Sequence, residues 1–334
     1  MPTLGLDIGG ANIKASDGQS RSVSRPFAIW KAPEQLPEEL AALLADFPEV
    51  DHLAVTMTAE LADCFATKAE GVRRILDSVL AIAGERVVLV WQTAGEFVSA
   101  DLATEFPRLV AAANWHALAT WVGRSCPEGS ALLIDCGSTT TDFIPLQDGL
   151  PSTLGLTDVE RLQHGELVYT GLKRTSICAL APAVPFQGRL CPLAAELFAT
   201  TLDVALLTGT VAPDPHDLNT ADGRPATVEA AWNRLAHQIC CDTDECSLDE
   251  ARQIAGFLRD RQLEAWFAAE RIVAARFAPW QTVITSGEGE ASLAPLVEQI
   301  GETGKTILSL NQMLGPQHSQ AACAFALARL LEDS

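Results

Sequence analysis

Short apolar runs alternate along the chain with longer stretches in which apolar residues recur at helical spacing, the pattern of buried strands separated by surface helices. Thr3 to Ile8 is such a run, broken only by Asp7 and closed by Gly9 and Gly10, so it reads as a strand entering a tight turn. Ile13 to Ala15 begins the returning strand. Pro37 to Phe47 has helical spacing with acidic residues at its start, and Gly71 to Ala83 is amphipathic. His52 to Thr56 and Arg86 to Trp91 read as strands. Arg108 to Val122 is helical in character, and the loop from Arg124 to Gly129, punctuated by Pro127, reads as a domain junction. Ala131 to Ile134 then reopens the pattern with a strand running into Asp135 and Gly137. Helices are expected over 193–207, 228–241 and 249–277, the last broken near Gly256. Val283 to Ser286 is expected as the final strand, and Ala321 to Leu331 as a closing helix.

Asp7 and Asp135 stand 128 residues apart (135 − 7), each at the end of an apolar strand and each followed two residues later by glycine. This weak internal repeat predicts an α/β fold of two related domains that offer their strand-turn-strand edges to a shared cleft. The expected division is 1–124 and 125–315, with 316–334 able to pack back onto the first domain.

Composition narrows the chemistry. With 43 acidic and 23 basic residues the formal net charge is −20, which disfavours extended contact with nucleic acid or anionic lipid. Any bound phosphate must be held locally. Nine cysteines, odd in number and scattered, fit reduced thiols better than a disulfide framework. No apolar run has membrane length and no signal core opens the chain, so a cytoplasmic protein is expected.

The candidate chemistry centres on the two turns. A backbone that approaches phosphate oxygens needs glycine and free N–H groups. Gly9, Gly10 and Asn12 in the first turn, and Gly137, Ser138, Thr139, Thr140 and Thr141 in the second, supply both, with Lys14 as a nearby cation. Asp7, Asp135 and Asp142 are candidates to hold a divalent cation, Mg2+ in the first instance, through water. The bland alternative for each motif is an aspartate that starts a turn and a glycine that allows it. Thr56 to Asp63 adds hydroxyls at Thr56 and Thr58 and carboxylates at Glu60 and Asp63, with Lys68 behind, a source of a general base and a cation. Alternatively Thr58 caps a helix whose first turn carries Glu60 and Asp63 in solvent. Asn114 with Trp115, and Lys173 and Arg174 beside the single Tyr169, are candidates for the cleft, where the basic pair could meet a polyphosphate or a carboxylate. Ser286, Gly287 and Gly289 could let a nucleotide base lie against the backbone. Asp203, Asp222 and Arg224 either line the cleft or cap helices. His237, Cys240, Cys241 and Cys246 invite a zinc reading but lack paired CxxC spacing.

The two phosphate motifs resemble those of the superfamily of actin-like ATPases and sugar kinases, in which two ribonuclease-H-like domains close on a nucleotide. More narrowly, the chain resembles the hydantoinase/oxoprolinase-related proteins of the tetrahydromethanopterin-linked one-carbon pathway. That resemblance is carried by Asp7 to Lys14, Val55 to Asp63, Ala112 to Trp115, Asp135 to Pro145, Gly165 to Arg174, Thr220 to Ala226 and Ser286 to Gly289. It implies an enzyme of methanofuran-type cofactor synthesis, a transferase that joins an aminomethylfuran-methyl diphosphate to the phenol of a γ-glutamyltyramine-like acceptor and releases diphosphate. The implied partner is a small phosphorylated substrate, and a homo-oligomer is compatible with the sequence. Two rivals remain at this stage. One is an ATP-dependent small-molecule kinase or activator, with ATP or another nucleotide in the same cleft. The other is a non-enzymatic protein that a nucleotide switches between open and closed forms.

Overall fold

In the computed structural model, which describes residues 1–277, 279–301 and 304–333, two mixed sheets are built to one plan. The first takes β1 (Thr3–Ile8), β2 (Asn12–Ser16), β3 (Ser22–Pro26), β4 (His52–Met57), β5 (Val87–Trp91) and β6 (Phe97–Ser99) in the spatial order β3-β2-β1-β4-β5-β6. Then come β7 (Ser130–Cys136), β8 (Thr141–Gln147), β9 (Leu150–Pro151) and β10 (Leu167–Val168), a separate hairpin of β11 (Ala183–Phe186) and β12 (Arg189–Pro192), and finally β13 (Thr282–Ser286) and β14 (Thr306–Ser309). The second sheet runs β10-β8-β7-β13-β14, with β9 beside β8. In each sheet the leading strand is antiparallel to the one that follows it and parallel to the next along the sheet. The chain is therefore an α/β protein whose two sheets repeat one topology, the arrangement expected of two ribonuclease-H-like halves.

The repeat extends to single positions. Asp7 on β1 lies opposite Lys14 on β2 and Thr56 on β4. Asp135 on β7 lies opposite Asp142 on β8 and Ser286 on β13. Aspartate and hydroxyl recur in both halves, and the one position that changes sign is lysine in the first and aspartate in the second.

Several expectations give way to tertiary structure. The helix expected over 108–122 is two, Pro107–Val110 and Asn114–Gly123, because Ala111 bridges to Met57 on β4 and Ala112 adopts φ 49° between them. Of 193–207 only Thr201–Leu207 is helical: Thr200 pairs with Ser176 and starts the helix through a capping box with Asp203. Leu248–Ala274 is continuous through Gly256, whose missing side chain faces open space. Val283 to Ser286 is not the last strand, since β14 follows and pairs parallel with β13.

Two helices form the layer between the sheets. Leu118 and Val122 of Asn114–Gly123 pack with Leu133, Ile144 and Ala326, while Leu327 and Leu330 of the closing helix Ala322–Glu332 pack with Ala54 and Trp91. Backbone meets backbone where that helix crosses β1: a Cβ on Gly5 would fall 1.9 Å from the Ala324 carbonyl oxygen. Gly5→Ala should therefore cost about 1–3 kcal/mol or more, read as a lowered urea midpoint. An unchanged midpoint would show that the crossing can open without loss.

A helical lobe outside the second sheet has its own core around Leu202, Leu235, Ile254 and Leu258. Arg234, fully buried, pairs with Asp203 at 2.6 Å and Asp222 at 3.0 Å, and Asp222 also holds Arg224 at 2.6 Å. These acidic residues serve the lobe and do not line the cleft. Among the described residues no helix is long and apolar enough to cross a membrane.

Candidate functional site

The hairpins β1–β2 and β7–β8 make the same turn. Gly9 N–H donates to the Asn12 carbonyl and Gly137 N–H to the Thr140 carbonyl, both at 2.9 Å. Those two N–H groups are thus consumed inside the turns, against the expectation that they are free for phosphate. The N–H groups of Gly10, Ala11, Ser138, Thr139 and Thr140 have no partner among the described residues, while their neighbouring carbonyls are taken up: Gly10 by Ile29, Ala11 by Phe27, Gly137 by Leu172 and Ser138 by Lys173 and Arg174. Both turns line one cavity of about 510 Å³. Unpaired amides on two facing turns make a site for anionic oxygen.

Lys14 supplies the charge at its floor. Burial alone would lower its pKa, but Asp7, the Cys323 thiol, Glu288 and Asp135 raise it, so the ammonium stays charged. Asp7 and Asp135 are both pushed above the ordinary carboxylate range, by burial first, with Lys14 pulling each back. Asp7 keeps a buried Oδ1 without a hydrogen-bond partner.

Asp142 does not complete a metal triad. Its Oδ1 accepts from the fully buried Arg161 Nη1 at 2.6 Å, burial nevertheless holding its pKa up at about 6. Arg161 also donates to the Glu166 carbonyl at 3.0 Å and lies 4.0 Å over the Trp115 ring. No group of three or more His, Cys, Asp or Glu among the described residues is arranged to hold a metal ion. Magnesium, however, keeps water and phosphate oxygens as ligands and needs only one or two carboxylates. The orphaned Asp7 oxygen and Asp135 fit that requirement.

Glu60 occupies another wall. Thr58 and Ala59 N–H both donate to the Ile8 carbonyl, at 3.0 and 3.2 Å, hooking this loop over the end of β1. No helix starts at Thr58; the helix begins at Lys68, capped by Thr67. Glu60 is accordingly not solvated but 1 % exposed, and its Oε2 has no partner. Burial lifts its pKa to about 7, against backbone contacts and the Lys68 charge, and Asp158 adds to the rise. Asp63 lies exposed on the cavity rim. Asn114, Trp115, Trp30 and Tyr169 contribute to a partly aromatic lining.

Other expected residues stand apart from the cavity. Thr56 is buried beside Asp7, and Thr141 spends its hydroxyl on the Thr170 carbonyl at 2.8 Å. Lys173 pairs with Glu288 at 3.0 Å and Asp217 at 3.7 Å, leaving Arg174 as the member of the basic pair that lines the cavity. Ser286, Gly287 and Gly289 are not in the lining: a Cβ on Gly287 would fall 2.2 Å from the Cys136 carbonyl oxygen and one on Gly289 2.4 Å from its sulfur. Those glycines serve the packing of this loop onto β7. Of the zinc-like group, Cys246 is buried, Cys240 exposed, and His237 packs edge-on to Phe198.

Trp30, Asp158, Arg161 and Cys323 line the cavity without having been legible as site residues. The capping box from Thr157 to Glu160 was a readable signal for the helix that carries Asp158 and Arg161, though not for the direction in which they face.

Comparison with known proteins gives four likenesses. The family described as hydantoinase/oxoprolinase matches residues 51–333. The (4-{4-[2-(gamma-L-glutamylamino)ethyl]phenoxymethyl}furan-2-yl)methanamine synthase of Methanocaldococcus jannaschii is 34 % identical over 98 % of this chain and 97 % of its own. The protein of the same name from Methanococcus vannielii is 29 % identical over 61 % of this chain and 91 % of its own. Among solved structures, the archaeal actin homologue Ta0583 in complex with ADP superposes with a TM-score of 0.49 at 14 % identity, covering 100 % of each chain.

Proposed function

The chain belongs to the hydantoinase/oxoprolinase family, and from that premise we propose that it is a synthase of the methanofuran-biosynthesis type, coupling an aminomethylfuran-methyl diphosphate to the phenol of a γ-glutamyltyramine-like acceptor. What carries the reading is the coexistence, in one cavity, of unpaired turn amides beside Lys14 with a buried carboxyl at Glu60 among aromatic side chains.

The chemistry balances on those groups. The bond between the furylmethyl carbon and the bridging oxygen breaks, and its electron pair leaves with diphosphate. The furan ring can share the positive charge that develops on that carbon, so stabilising the departing anion and orienting the phenol are the main demands on the protein. The amides of Gly10, Ala11, Ser138, Thr139 and Thr140 with Lys14 receive the diphosphate oxygens. Glu60 accepts the phenol proton as the phenol oxygen forms the new ether bond. Magnesium bound at Asp7 and Asp135 would neutralise part of the diphosphate charge.

The test incubates the purified protein and magnesium with a furylmethyl diphosphate bearing an aminomethyl group and with γ-glutamyltyramine. The expected result is an ether with the combined mass less diphosphate, and one diphosphate released per ether. No ether, with an ATP-dependent product from another substrate, would overturn the reading in favour of a kinase-like activity.

A further inference from the structure

Trp30 and Arg174 have no part in that chemistry, yet they meet across the cavity that both line. The Arg174 guanidinium carbon lies 4.9 Å from the Trp30 ring centroid. Each side is tied to one of the two turns. Ile29, next to Trp30, donates its N–H to the Gly10 carbonyl at 3.1 Å, and Arg174 donates its own N–H to the Ser138 carbonyl at 3.0 Å. First turn, indole, guanidinium and second turn therefore form a chain of contacts between the two halves of the molecule.

Arg174 is also unlike its neighbours in charge pairing. Lys173 is used by Glu288 and Asp217, Arg161 by Asp142, and Lys14 sits among Asp7 and Asp135. Arg174 has no carboxylate within ion-pair reach among the described residues, in a chain of formal net charge −20. A guanidinium held over an indole ring keeps N–H donors available, and its fork of donors matches a pair of phosphate oxygens. One phosphoryl group placed against the turn amides satisfies those amides. A second phosphoryl group attached to it needs another cation, and Arg174 lines the cavity with no carboxylate within ion-pair reach among the described residues.

We propose that Trp30 and Arg174 form a clasp for the terminal phosphoryl group of a diphosphate, so that the cavity selects diphosphates over monophosphates and the two turns are joined through the bound anion. Trp30 is a positioning residue that acts through Arg174. The proposal concerns anion selection alone and does not need ether formation.

The experiment measures binding of inorganic diphosphate and of orthophosphate to the full chain by titration calorimetry with magnesium present. The unaltered protein should bind diphosphate at least about tenfold more tightly than orthophosphate. Arg174→Ala and Trp30→Leu should each weaken diphosphate by about tenfold and leave orthophosphate within about twofold. The double variant should be no weaker than Arg174→Ala, because Trp30 has nothing left to orient. Arg174→Lys should not restore the selection, whereas Trp30→Phe, which keeps an aromatic face and guards against a folding defect in Trp30→Leu, should retain most of it. No preference for diphosphate in the unaltered protein, unchanged diphosphate binding in Arg174→Ala, equal loss for both anions, or additive losses in the double variant would each overturn the clasp. Diphosphate selection through Arg174 with no ether product would overturn only the synthase reading; ether formation indifferent to Arg174 would overturn only the clasp.

Discussion

Glu60→Gln should lower turnover by about two to four orders of magnitude while leaving diphosphate binding close to unchanged. The amide keeps the shape of the side chain and loses only its capacity to take a proton. The pH profile gives the sharper readout. Burial holds the Glu60 carboxyl at about 7, so below that pH the proposed base would be protonated and idle. The rate of the unaltered protein should rise about tenfold per pH unit below 7 and level off above it. In the glutamine variant that limb should vanish from the residual activity. Stability should move the opposite way with pH. A carboxyl raised in the native state keeps a proton that the unfolded chain has already released, so stability falls as pH rises from the ordinary glutamate range to about 7, by on the order of 3 kcal/mol at most. Glu60→Gln should flatten that fall. A variant with full activity and the same pH limb would remove Glu60 as the base and return the role to Asp63 on the rim.

The parts of this site read most directly in the sequence are those that repeat. Asp7 and Asp135 announce themselves because a charged residue interrupts an otherwise apolar strand just before glycine, twice. The register adds that Thr56 and Ser286 occupy equivalent places beside them, which spacing within one segment cannot reveal. Arg161 and Trp30 were illegible for a different reason. Arg161 lies on a six-residue helix, and only the approach of Asp142 and Trp115 from distant segments makes its burial tolerable. The helix boundaries near 111 and 200 depart from local helix preference because single bridges, Met57 with Ala111 and Ser176 with Thr200, outweigh it. The strand β14 escaped because its four residues are half-buried or exposed and lack an apolar run. The Ser286 to Gly289 loop shows the limit of composition: Gly287 and Gly289 look like a nucleotide platform in sequence, and in the fold their lack of Cβ admits Cys136.

Asp7→Asn and Asp135→Asn should each reduce turnover by about two to three orders of magnitude without unfolding the chain. The separation of these two effects follows from the charges around Lys14. Both carboxyls are raised above their ordinary range by burial, so their ionised forms cost stability and the neutral amide relieves that cost. Against this, Lys14 loses one of the acids that keep it charged but retains the other and Glu288. Opposed changes of this kind leave a net effect of about 1 kcal/mol in either direction, readable as a small shift in thermal midpoint. The reaction has no such compensation. In the proposed reaction, leaving diphosphate would bring several negative charges to Lys14 and the turn amides, and magnesium held by the carboxylate pair would let them gather there. Raising magnesium should therefore recover part of the lost turnover in either single variant, which keeps one carboxylate, and none in the double variant. Full activity in both single variants would remove Asp7 and Asp135 from the reacting centre. Loss of activity together with loss of the cooperative unfolding transition would make them structural residues of the Lys14 charge cluster instead.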